Sequence, residues 1–523
     1  MNFGVDPVPS EARRRPLVFA LCIIPFVVLA TLNSGGYRYG ASDQSFYLPA
    51  VFLQLDPALF PRDAAVLAAQ THLTLVDELV AGVVRITGAS LPHVFVALYV
   101  AALILLAWSA WRIGLRLYGN TWTAVALLAA FTLRHAIARS GTNTLEGYCH
   151  PRVIAFALGA AAVLFFLRGR VAIPAALAIV AGAVHPTTAL WFTIWMTSAA
   201  AIAHPTLRKY LAGALVAAGL ASAWALAAGP LAGRLTIMDP EWRQTLAAKD
   251  YLFPLRWPPY AWIINLGYLP VIAWIYRYRQ RAALVDPLER GLVLGSSSLA
   301  VVFAGALVLH AFGVTLAVQL QPARLFWMFD FLATIYAVWL IAEGGGKAAV
   351  DVRLKAEATR DAATRDEATR RIGRPQVAAL IIVLFSVARG AYVLIEADRP
   401  AVQISVPDDD WGRVMAFART TDKRSGWLVH PLHAVLYGTS VRVAGERDVF
   451  VEEVKDAAMG MYDRDVALRT KRRLETLPPF DALTAADVRK LGADYGLDFI
   501  VTEEPLELPL AFESGALRVY RIE

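Results

Sequence analysis

The chain has 523 residues, of which 57% are hydrophobic and only 18% are charged, and it carries a formal net charge of +7. Soluble domains are about 25% charged, whereas the apolar residues here lie in blocks of about 16–22 residues, long enough to cross a ~30 Å hydrocarbon core. A single soluble enzyme and a disordered chain are therefore excluded. The excess positive charge lies between the blocks, where it sets orientation in a membrane, so no nucleic-acid partner is expected.

Eleven apolar blocks predict eleven membrane-spanning helices. Basic residues recur in every second loop, first at Arg112 and Arg116 and then at Arg168 and Arg170. Because such loops stay in the cytoplasm, we expect a cytoplasmic N-terminus and, after an odd number of spans, an extracytoplasmic C-terminal segment. The blocks cover residues 16–33, 92–111, 119–134, 153–167, 171–184, 187–203, 211–229, 259–275, 291–311, 325–342 and 376–395.

Two loops stand out by their length. The predicted outer loop 34–91 begins with a turn-rich polar run and continues with apolar residues at helical spacing from Leu67 to Val84. That spacing predicts an amphipathic helix lying along the membrane interface. The predicted cytoplasmic loop 343–375 is of low complexity, with a five-residue repeat that begins at Ala358. We assign this loop no chemistry.

From residue 397 onward the composition becomes that of a soluble domain. Helices are predicted near 411–420 and 484–495, and strands at 426–430, 499–502 and 517–521. The segment contains no Gly-rich phosphate loop, nucleophile elbow or metal-ligand spacing. The predicted fold is therefore mainly α: a multi-span membrane helical bundle over residues 1–396, followed by a small extracytoplasmic α/β domain over residues 397–523.

Three acidic residues in predicted outer loops are candidate catalytic groups. Asp43 follows the first span by about ten residues, and a carboxylate at the membrane surface can act as a general base. A turn or a helix cap is the alternative role for Asp43. Asp63 follows a Pro-Arg pair, which also suits a residue that caps a helix. Glu146 precedes the fourth span, and its alternative role is to hold a hydrogen-bonded loop together.

Basic and imidazole side chains are concentrated on the same predicted side of the membrane. Arg134, Arg139 and Arg152 surround the third outward turn, with His150 between them, and arginine is well suited to phosphate recognition. Alternatively, outward arginines are tolerated once other loops have set the orientation. His185 interrupts an apolar run, either as a helix cap or as a ligand-binding group. Arg324 either binds a phosphate or extends to lipid headgroups.

This layout resembles the polytopic C-type glycosyltransferases (GT-C fold), which include protein mannosyltransferases and oligosaccharyltransferase catalytic subunits. Asp43 within Tyr-Gly-Ala-Ser-Asp-Gln and Asp63 at the end of Leu-Asp-Pro-Ala-Leu-Phe-Pro-Arg-Asp are the matching pieces in the first loop. Segments 146–152, 185–186 and 321–324 are similar to loop motifs of other bacterial membrane proteins with this layout. The acid at Asp43 is followed by Gln44 instead of Glu, and a Trp-Trp-Asp signature is absent from the sequence.

The resemblance implies a polyprenyl-phosphate-linked sugar as donor and a site on the outer face of the bacterial inner membrane. The main hypothesis is transfer of that sugar to an extracytoplasmic acceptor of unspecified chemistry. Asp43 would be the base, with Asp63 or Glu146 orienting the acceptor. Phosphate and sugar would be held by the basic and imidazole groups: Arg139, His150, Arg152, His185 and Arg324.

Two other functions are compatible with the sequence. A lipid or small-molecule transporter or flippase would be expected to show internal repeats and mid-span charge, and the sequence shows no repeat between its halves and little such charge. A non-catalytic envelope-assembly protein would use the C-terminal domain as a binding module. No cofactor is predicted. Glu146 and His150 have a spacing that suits two ligands of a divalent metal, but no second ligand pair follows, so no metal site is assigned and a divalent metal stays an open alternative.

Overall fold

The computed structural model describes residues 9–344, 373–398 and 400–522. The low-complexity repeat that begins at Ala358 lies outside the described residues. In chain order, the helices are α1 (Pro9–Asn33), α2 (Gln44–Leu55), α3 (Ala64–Thr71), α4 (Val76–Thr87), α5 (Leu91–Leu117), α6 (Thr121–Phe131), α7 (Pro151–Leu167), α8 (Ala172–Val184), α9 (Pro186–Ala203), α10 (Arg208–Ala227), α11 (Pro240–Thr245), α12 (Pro259–Arg281), α13 (Pro287–Ala311), α14 (Thr315–Leu320), α15 (Phe326–Ala342), α16 (Arg374–Ala397), α17 (Asp410–Thr420), α18 (His433–Leu436), α19 (Val441–Ala444), α20 (Glu453–Met459), α21 (Arg464–Thr476) and α22 (Ala485–Tyr495). The strands are β1 (Tyr37–Arg38), β2 (Ala136–Ile137), β3 (Thr142–Asn143), β4 (Val402–Gln403), β5 (Gly426–Leu428), β6 (Asp448–Val449), β7 (Phe499–Thr502), β8 (Leu510–Ser514) and β9 (Leu517–Arg521).

Each of the eleven apolar blocks coincides with a helix. Within the described residues, six segments are long and apolar enough to cross a membrane, and the chain is a multi-pass membrane protein. The predicted number of about eleven spans is not confirmed, because several of the helices are short for a ~30 Å core. The six segments are Arg15–Asn33, Leu91–Leu117, Pro205–Ala227, Pro287–Ala311, Thr315–Ala342 and Arg374–Ala397. The shorter apolar helices are Thr121–Phe131, Pro151–Leu167 and Ala172–Val184.

The predicted outer loop 34–91 forms three helices, α2, α3 and α4, instead of one long amphipathic helix. The apolar spacing from Leu67 to Val84 is interrupted by a turn in which the Thr74 amide donates to the Thr71 carbonyl at 3.0 Å. A new helix starts directly afterwards, with Asp77 in its first turn, where the helix dipole favours a negative charge. The spacing of the apolar residues therefore predicts helical structure correctly, but it does not predict the turn that separates α3 from α4.

The C-terminal part contains a five-stranded sheet with the strand order β6-β5-β7-β9-β8. β5 runs parallel to β6 and β7, whereas β9 is antiparallel to both β7 and β8. Neighbouring side chains of β5 face opposite sides of the sheet: Trp427 belongs to the core that contains Trp411, and Leu428 to the core that contains Phe450. The predicted strands and helices of this segment are present, and β6 and β8 are additional.

The C-terminal part packs against one end of the helix bundle, which we call the domain end. β1 pairs in parallel with β4, with Tyr37 opposite Val402. The indole of Trp242 donates to the carbonyl of Gly460 at 2.7 Å. The long loop after α1 and the segment after α10 therefore both hold the C-terminal part in place. The domain boundary at residue 397 stays a prediction.

Asp63 contributes to the same junction. Its carboxylate is fully buried and accepts hydrogen bonds from Arg442 Nε at 2.8 Å and from the Val449 amide at 3.0 Å. A second arginine, Arg469, also pairs with it. Burial alone would raise the pKa of Asp63, but the two guanidinium groups hold that pKa below its usual range. Asp63 thus joins the first long loop to the C-terminal part.

Candidate functional site

A cavity of about 530 Å³ lies at the domain end, between the helix bundle and the C-terminal part. Its walls come from the turn after α1, the loop before α7, the turns at residues 185 and 321–324, and the segment around α20. Six cationic side chains and three carboxylates line it: Arg38, Arg134, Arg152, Lys249, Arg324 and Lys455, and Asp43, Glu146 and Glu452. An excess of cations in a cleft raises the local concentration of anionic ligands.

Asp43 lies at the start of α2, but its side chain does not cap that helix. The carboxylate extends into the cavity instead. Its Oδ1 accepts from Lys455 Nζ at 2.6 Å, and its Oδ2 lies 3.0 Å from His150 Nε2 and 3.7 Å from Arg152 Nη2. Burial alone would raise the pKa of Asp43, but Lys455 and the His150 hydrogen bond hold that pKa well below its usual range. Asp43 is therefore an ionised acceptor at neutral pH.

His150 has its tautomer fixed by the helix that it caps. Its Nδ1 accepts from the Arg152 amide at 3.0 Å at the first turn of α7. The ring proton therefore sits on Nε2 and is donated to Asp43. Burial, followed by the charge of Arg152, lowers the pKa of His150 to about 3. The imidazole is therefore neutral at pH 7 and orients the carboxylate of Asp43.

Arg152 and Glu146 form a buried ion pair, since each side chain is at most 4% exposed. Arg152 Nη2 donates to Glu146 Oε1 at 2.7 Å. The same nitrogen lies 3.7 Å from Asp43. An arginine held in this way costs little entropy when it meets a ligand. Glu146 therefore positions Arg152 at the cavity wall.

Arg324 reaches the cavity from a short turn of 3₁₀-helix, Pro322–Leu325. The preceding Gln321 adopts a left-handed conformation with φ 49°, which turns the chain between α14 and α15. The Nε atom of Arg324 is buried and has no hydrogen-bond partner among the described residues. Since leaving a buried charged donor without a partner is costly, this arrangement favours an anionic ligand at Arg324.

His185 caps α9 in the same way that His150 caps α7. Its Nδ1 accepts from the Thr188 amide at 3.3 Å, so the neutral ring carries its proton on Nε2. Burial, followed by the nearby His150, lowers the pKa of His185 well below its usual range. The two rings have centroids 6.1 Å apart. His185 is thus a neutral hydrogen-bond donor in the cavity wall.

The structure brings six of the eight predicted site residues to one cavity: Asp43, Glu146, His150, Arg152, His185 and Arg324. Arg139 and Asp63 are not among the residues that line it. Arg139 donates to the Tyr260 hydroxyl at 2.8 Å and pairs with Asp250. Asp250 adjoins Tyr251, which does line the cavity. Arg139 therefore supports the wall without facing the cavity.

The cavity lining also includes three charged residues for which the sequence predicts no role, Lys249, Glu452 and Lys455. Lys249 donates to the Val454 carbonyl at 3.1 Å, and Lys455 contacts Asp43. Glu452 is 1% exposed, and neither of its carboxylate oxygens has a hydrogen-bond partner among the described residues. Burial raises the pKa of Glu452 to about 7, although Arg442 opposes this effect. A Glu-x-x-Lys spacing, which places two side chains on one helix face, is the only local signal for this pair in the sequence.

The donor set of the cavity does not suit a divalent metal. Within the described part of the chain, no three His, Cys, Asp or Glu side chains gather as potential ligands. Asp43 has one oxygen on Lys455 and the other on His150. A site of this kind binds anions, because its free donors are N–H groups.

Two solved structures of the oligosaccharyltransferase AglB from the archaeon Archaeoglobus fulgidus are similar to this chain. Both are 12% identical over 92% of this chain and 69% of theirs, with TM-scores of 0.45 and 0.39. The first holds an inhibitory peptide and a dolichol-phosphate, and the second is tethered to an acceptor peptide with an NVT sequon. These structural neighbours are GT-C proteins. No family model and no curated protein sequence matches the chain.

Proposed function

We propose that the chain is a membrane glycosyltransferase that moves a sugar from a polyprenyl-phosphate donor to an acceptor on the extracytoplasmic side of the bacterial inner membrane. The observation that supports this proposal is the pairing of an ionised carboxylate, Asp43, with an excess of cationic side chains in one cavity. A phosphate-linked sugar needs both features, a group that receives a proton and groups that bind the phosphate. The domain end is the extracytoplasmic end in this proposal.

In the proposed reaction, an acceptor O–H or N–H group attacks the anomeric carbon of the sugar. The bond between that carbon and the phosphate oxygen breaks, and its electron pair leaves with the polyprenyl phosphate. The acceptor proton passes to Asp43. Arg152 and Arg324 stabilise the charge that develops on the phosphate, and His185 donates a hydrogen bond to the sugar or the phosphate.

Lys455 and Glu146 support these groups. Lys455 forms an ion pair with Asp43 at 2.6 Å, so an acceptor must take its place before the carboxylate can receive a proton. Glu146 holds Arg152. Arg139 and Asp63 are positioning residues in this proposal, because the first supports the segment with Tyr251 and the second anchors the C-terminal part.

Mass spectrometry of lipids that co-purify with the full chain in mild detergent tests the donor. The wild type is compared with Arg324→Ala and with a control, Arg256→Ala, whose exposed side chain lies outside the cavity. We expect a polyprenyl-phosphate species to be retained by the wild type and the control and lost from Arg324→Ala. Equal retention by all three proteins would remove Arg324 from the donor site, and bulk phospholipid alone in all three would contradict the proposed donor class.

A further inference from the structure

A second basic pocket lies at the end of the bundle opposite the C-terminal part. It has a volume of about 460 Å³ and is lined by four arginines and two tryptophans: Arg15, Arg112, Arg116, Arg168, Trp108 and Trp111. These residues come from the start of α1, the end of α5 and the residue after α7. Nothing in the proposed transfer reaction uses them.

The separation of the two sites follows from helices that they share. Arg15 and Ser34 lie near opposite ends of α1 and line different pockets, and at 1.5 Å per residue they are about 28 Å apart. Arg152 and Arg168 stand in the same relation along α7, about 24 Å apart. This distance approaches the ~30 Å thickness of a hydrocarbon core. The second pocket therefore lies at the level of the other leaflet's headgroups.

The positive charge of this pocket is largely uncompensated. Arg116 pairs with Asp286 and donates to the Leu167 carbonyl. Among the side chains that the structure describes, none of the carboxylates pairs with Arg15, Arg112 or Arg168. Partial burial, followed by the charge of Arg112, lowers the pKa of Arg168. The Nε atom of Arg15 is buried without a hydrogen-bond partner among the described residues.

The walls of the pocket are aromatic. Trp111 is 2% exposed and stacks on Phe19 with ring centroids 5.9 Å apart. Trp108, half-buried, packs against Phe165 at the same centroid distance of 5.9 Å. A cationic mouth on an aromatic wall suits a molecule with an anionic head and an apolar tail. Basic pockets between membrane helices bind phosphate headgroups by this combination.

We propose that this pocket binds the phosphate headgroup of an anionic membrane phospholipid. The arginines donate to the phosphate oxygens, and an acyl chain lies along Trp108 and the neighbouring apolar surface. Basic loops that only set the orientation of a membrane protein would attract anionic lipids without binding any of them at a fixed position. A pocket with defined walls instead predicts a small number of retained lipids whose binding depends on particular arginines. The proposal does not rest on the proposed transfer reaction.

Native mass spectrometry of the full chain, titrated with phosphatidylglycerol or phosphatidylcholine, tests this site. The double variant Arg112→Gln/Arg168→Gln is compared with the control Arg170→Gln/Arg281→Gln, which removes the same charge from exposed arginines at the same end of the bundle outside the pocket. We expect phosphatidylglycerol affinity to fall roughly thirtyfold in the pocket variant and less than about threefold in the control, because each arginine beside an anionic headgroup contributes about a factor of five.

Three outcomes would overturn the assignment. Equal losses in the two double variants would mean that charge acts diffusely. Equal affinity of the wild type for phosphatidylglycerol and phosphatidylcholine would mean that binding does not depend on the charge of the headgroup. Displacement of the lipid by the same concentration of soluble glycerol phosphate would assign the pocket to a free phosphate. Thermal unfolding without added lipid verifies that both double variants are folded.

Discussion

In the proposed reaction, Lys455 sets the charge state in which Asp43 meets an acceptor. Its ammonium nitrogen lies 2.6 Å from the carboxylate and opposes the effect of burial on the pKa. Because a base with a very low pKa accepts a proton poorly, the ion pair with Lys455 is a resting arrangement. An acceptor that displaces the ammonium group also raises the proton affinity of Asp43.

Lys455→Met is expected to raise the pKa of Asp43 towards the value that burial favours. Asp43 must be ionised to act as a base, so the acidic limb of the pH profile of sugar transfer should move to higher pH. The measurement is the rate of donor consumption against pH, with Lys423→Met as control, since Lys423 pairs with Asp56 away from the cavity. An acidic limb that stays in place would show that Lys455 does not set this pKa.

Glu452→Gln is expected to stabilise the folded protein at pH 8 more than at pH 5. Burial raises the pKa of Glu452 from its ordinary value of 4.5 to about 7. A carboxyl whose folded-state pKa is raised contributes stability that is fully present below its unfolded pKa and is lost as the pH rises through its folded pKa. Glutamine lacks this ionisation, so the gain should be about 3 kcal/mol at pH 8.

The measurement for Glu452→Gln is the thermal midpoint in detergent at the two pH values. Glu453→Gln is a close control because it removes the same charge from the adjacent, exposed position. We expect the thermal midpoint to rise in Glu452→Gln and to stay unchanged in Glu453→Gln. A stabilisation that is the same at pH 5 and pH 8 would contradict the raised pKa as its cause.

At the scale of elements, the loop between β3 and α7 is held tightly against the turn after α1. The Gly147 carbonyl accepts from the Arg38 amide at 2.8 Å. A Cβ atom at Gly147 would lie 2.4 Å from the Gly36 carbonyl oxygen and 2.8 Å from that of Ser34. This contact fixes how the loop that carries Glu146 and His150 meets the loop that carries Asp43.

Gly147→Ala is therefore expected to destabilise the protein by about 1–3 kcal/mol, because the methyl group forces two backbone segments apart. Gly82→Ala is a matched control, since a Cβ at Gly82 in α4 meets nothing within 4 Å, and alanine is the better helix former by about 1 kcal/mol. Thermal unfolding of both variants measures the difference. A tolerated alanine at position 147 would show that the two loops are free to separate.

At the scale of the whole molecule, one buried ion cluster joins the first long loop to the C-terminal part. Arg442 is 1% exposed and donates to Asp63 at 2.8 Å and to Asp456 at 2.6 and 3.1 Å. Arg442→Met would leave both carboxylates buried without their main partner. The expected cost is about 3–5 kcal/mol.

The effect of Arg442→Met is measured by thermal unfolding and by limited proteolysis of the C-terminal part, with the exposed Arg424→Met as control. The folded-state pKa of Asp63 is depressed, so its stabilising contribution is present above its unfolded pKa and is lost as the pH falls. In the wild type, the stabilising contribution of Asp63 should therefore begin to decline below about pH 4 and continue to fall as the pH approaches the depressed folded-state pKa. Resistance of the variant to proteolysis at neutral pH would show that other contacts hold the junction.

The apolar blocks could be predicted as helices from their length and composition. In lipid, an isolated apolar segment can form all of its backbone hydrogen bonds only as a helix. The break between α3 and α4 was not found, because its signal is a single turn within continuous helical spacing. In the cavity, Asp43 and Arg152 were identifiable from unusual polarity near apolar blocks. Lys455 was not, because its contact with Asp43 joins residues 412 positions apart and no local pattern indicates such a pairing.

The pairing of β1 with β4 also has a consequence for biosynthesis. Tyr37 and Val402 are the paired residues, so the partner of an early strand is made only after nearly all of the apolar helices. At about 5–20 residues per second, Tyr37 waits on the order of half a minute for Val402 to emerge. Throughout that time, the C-terminal part does not yet pack against the charged cavity wall beside Arg38. Only the last quarter of the protein therefore closes the cavity.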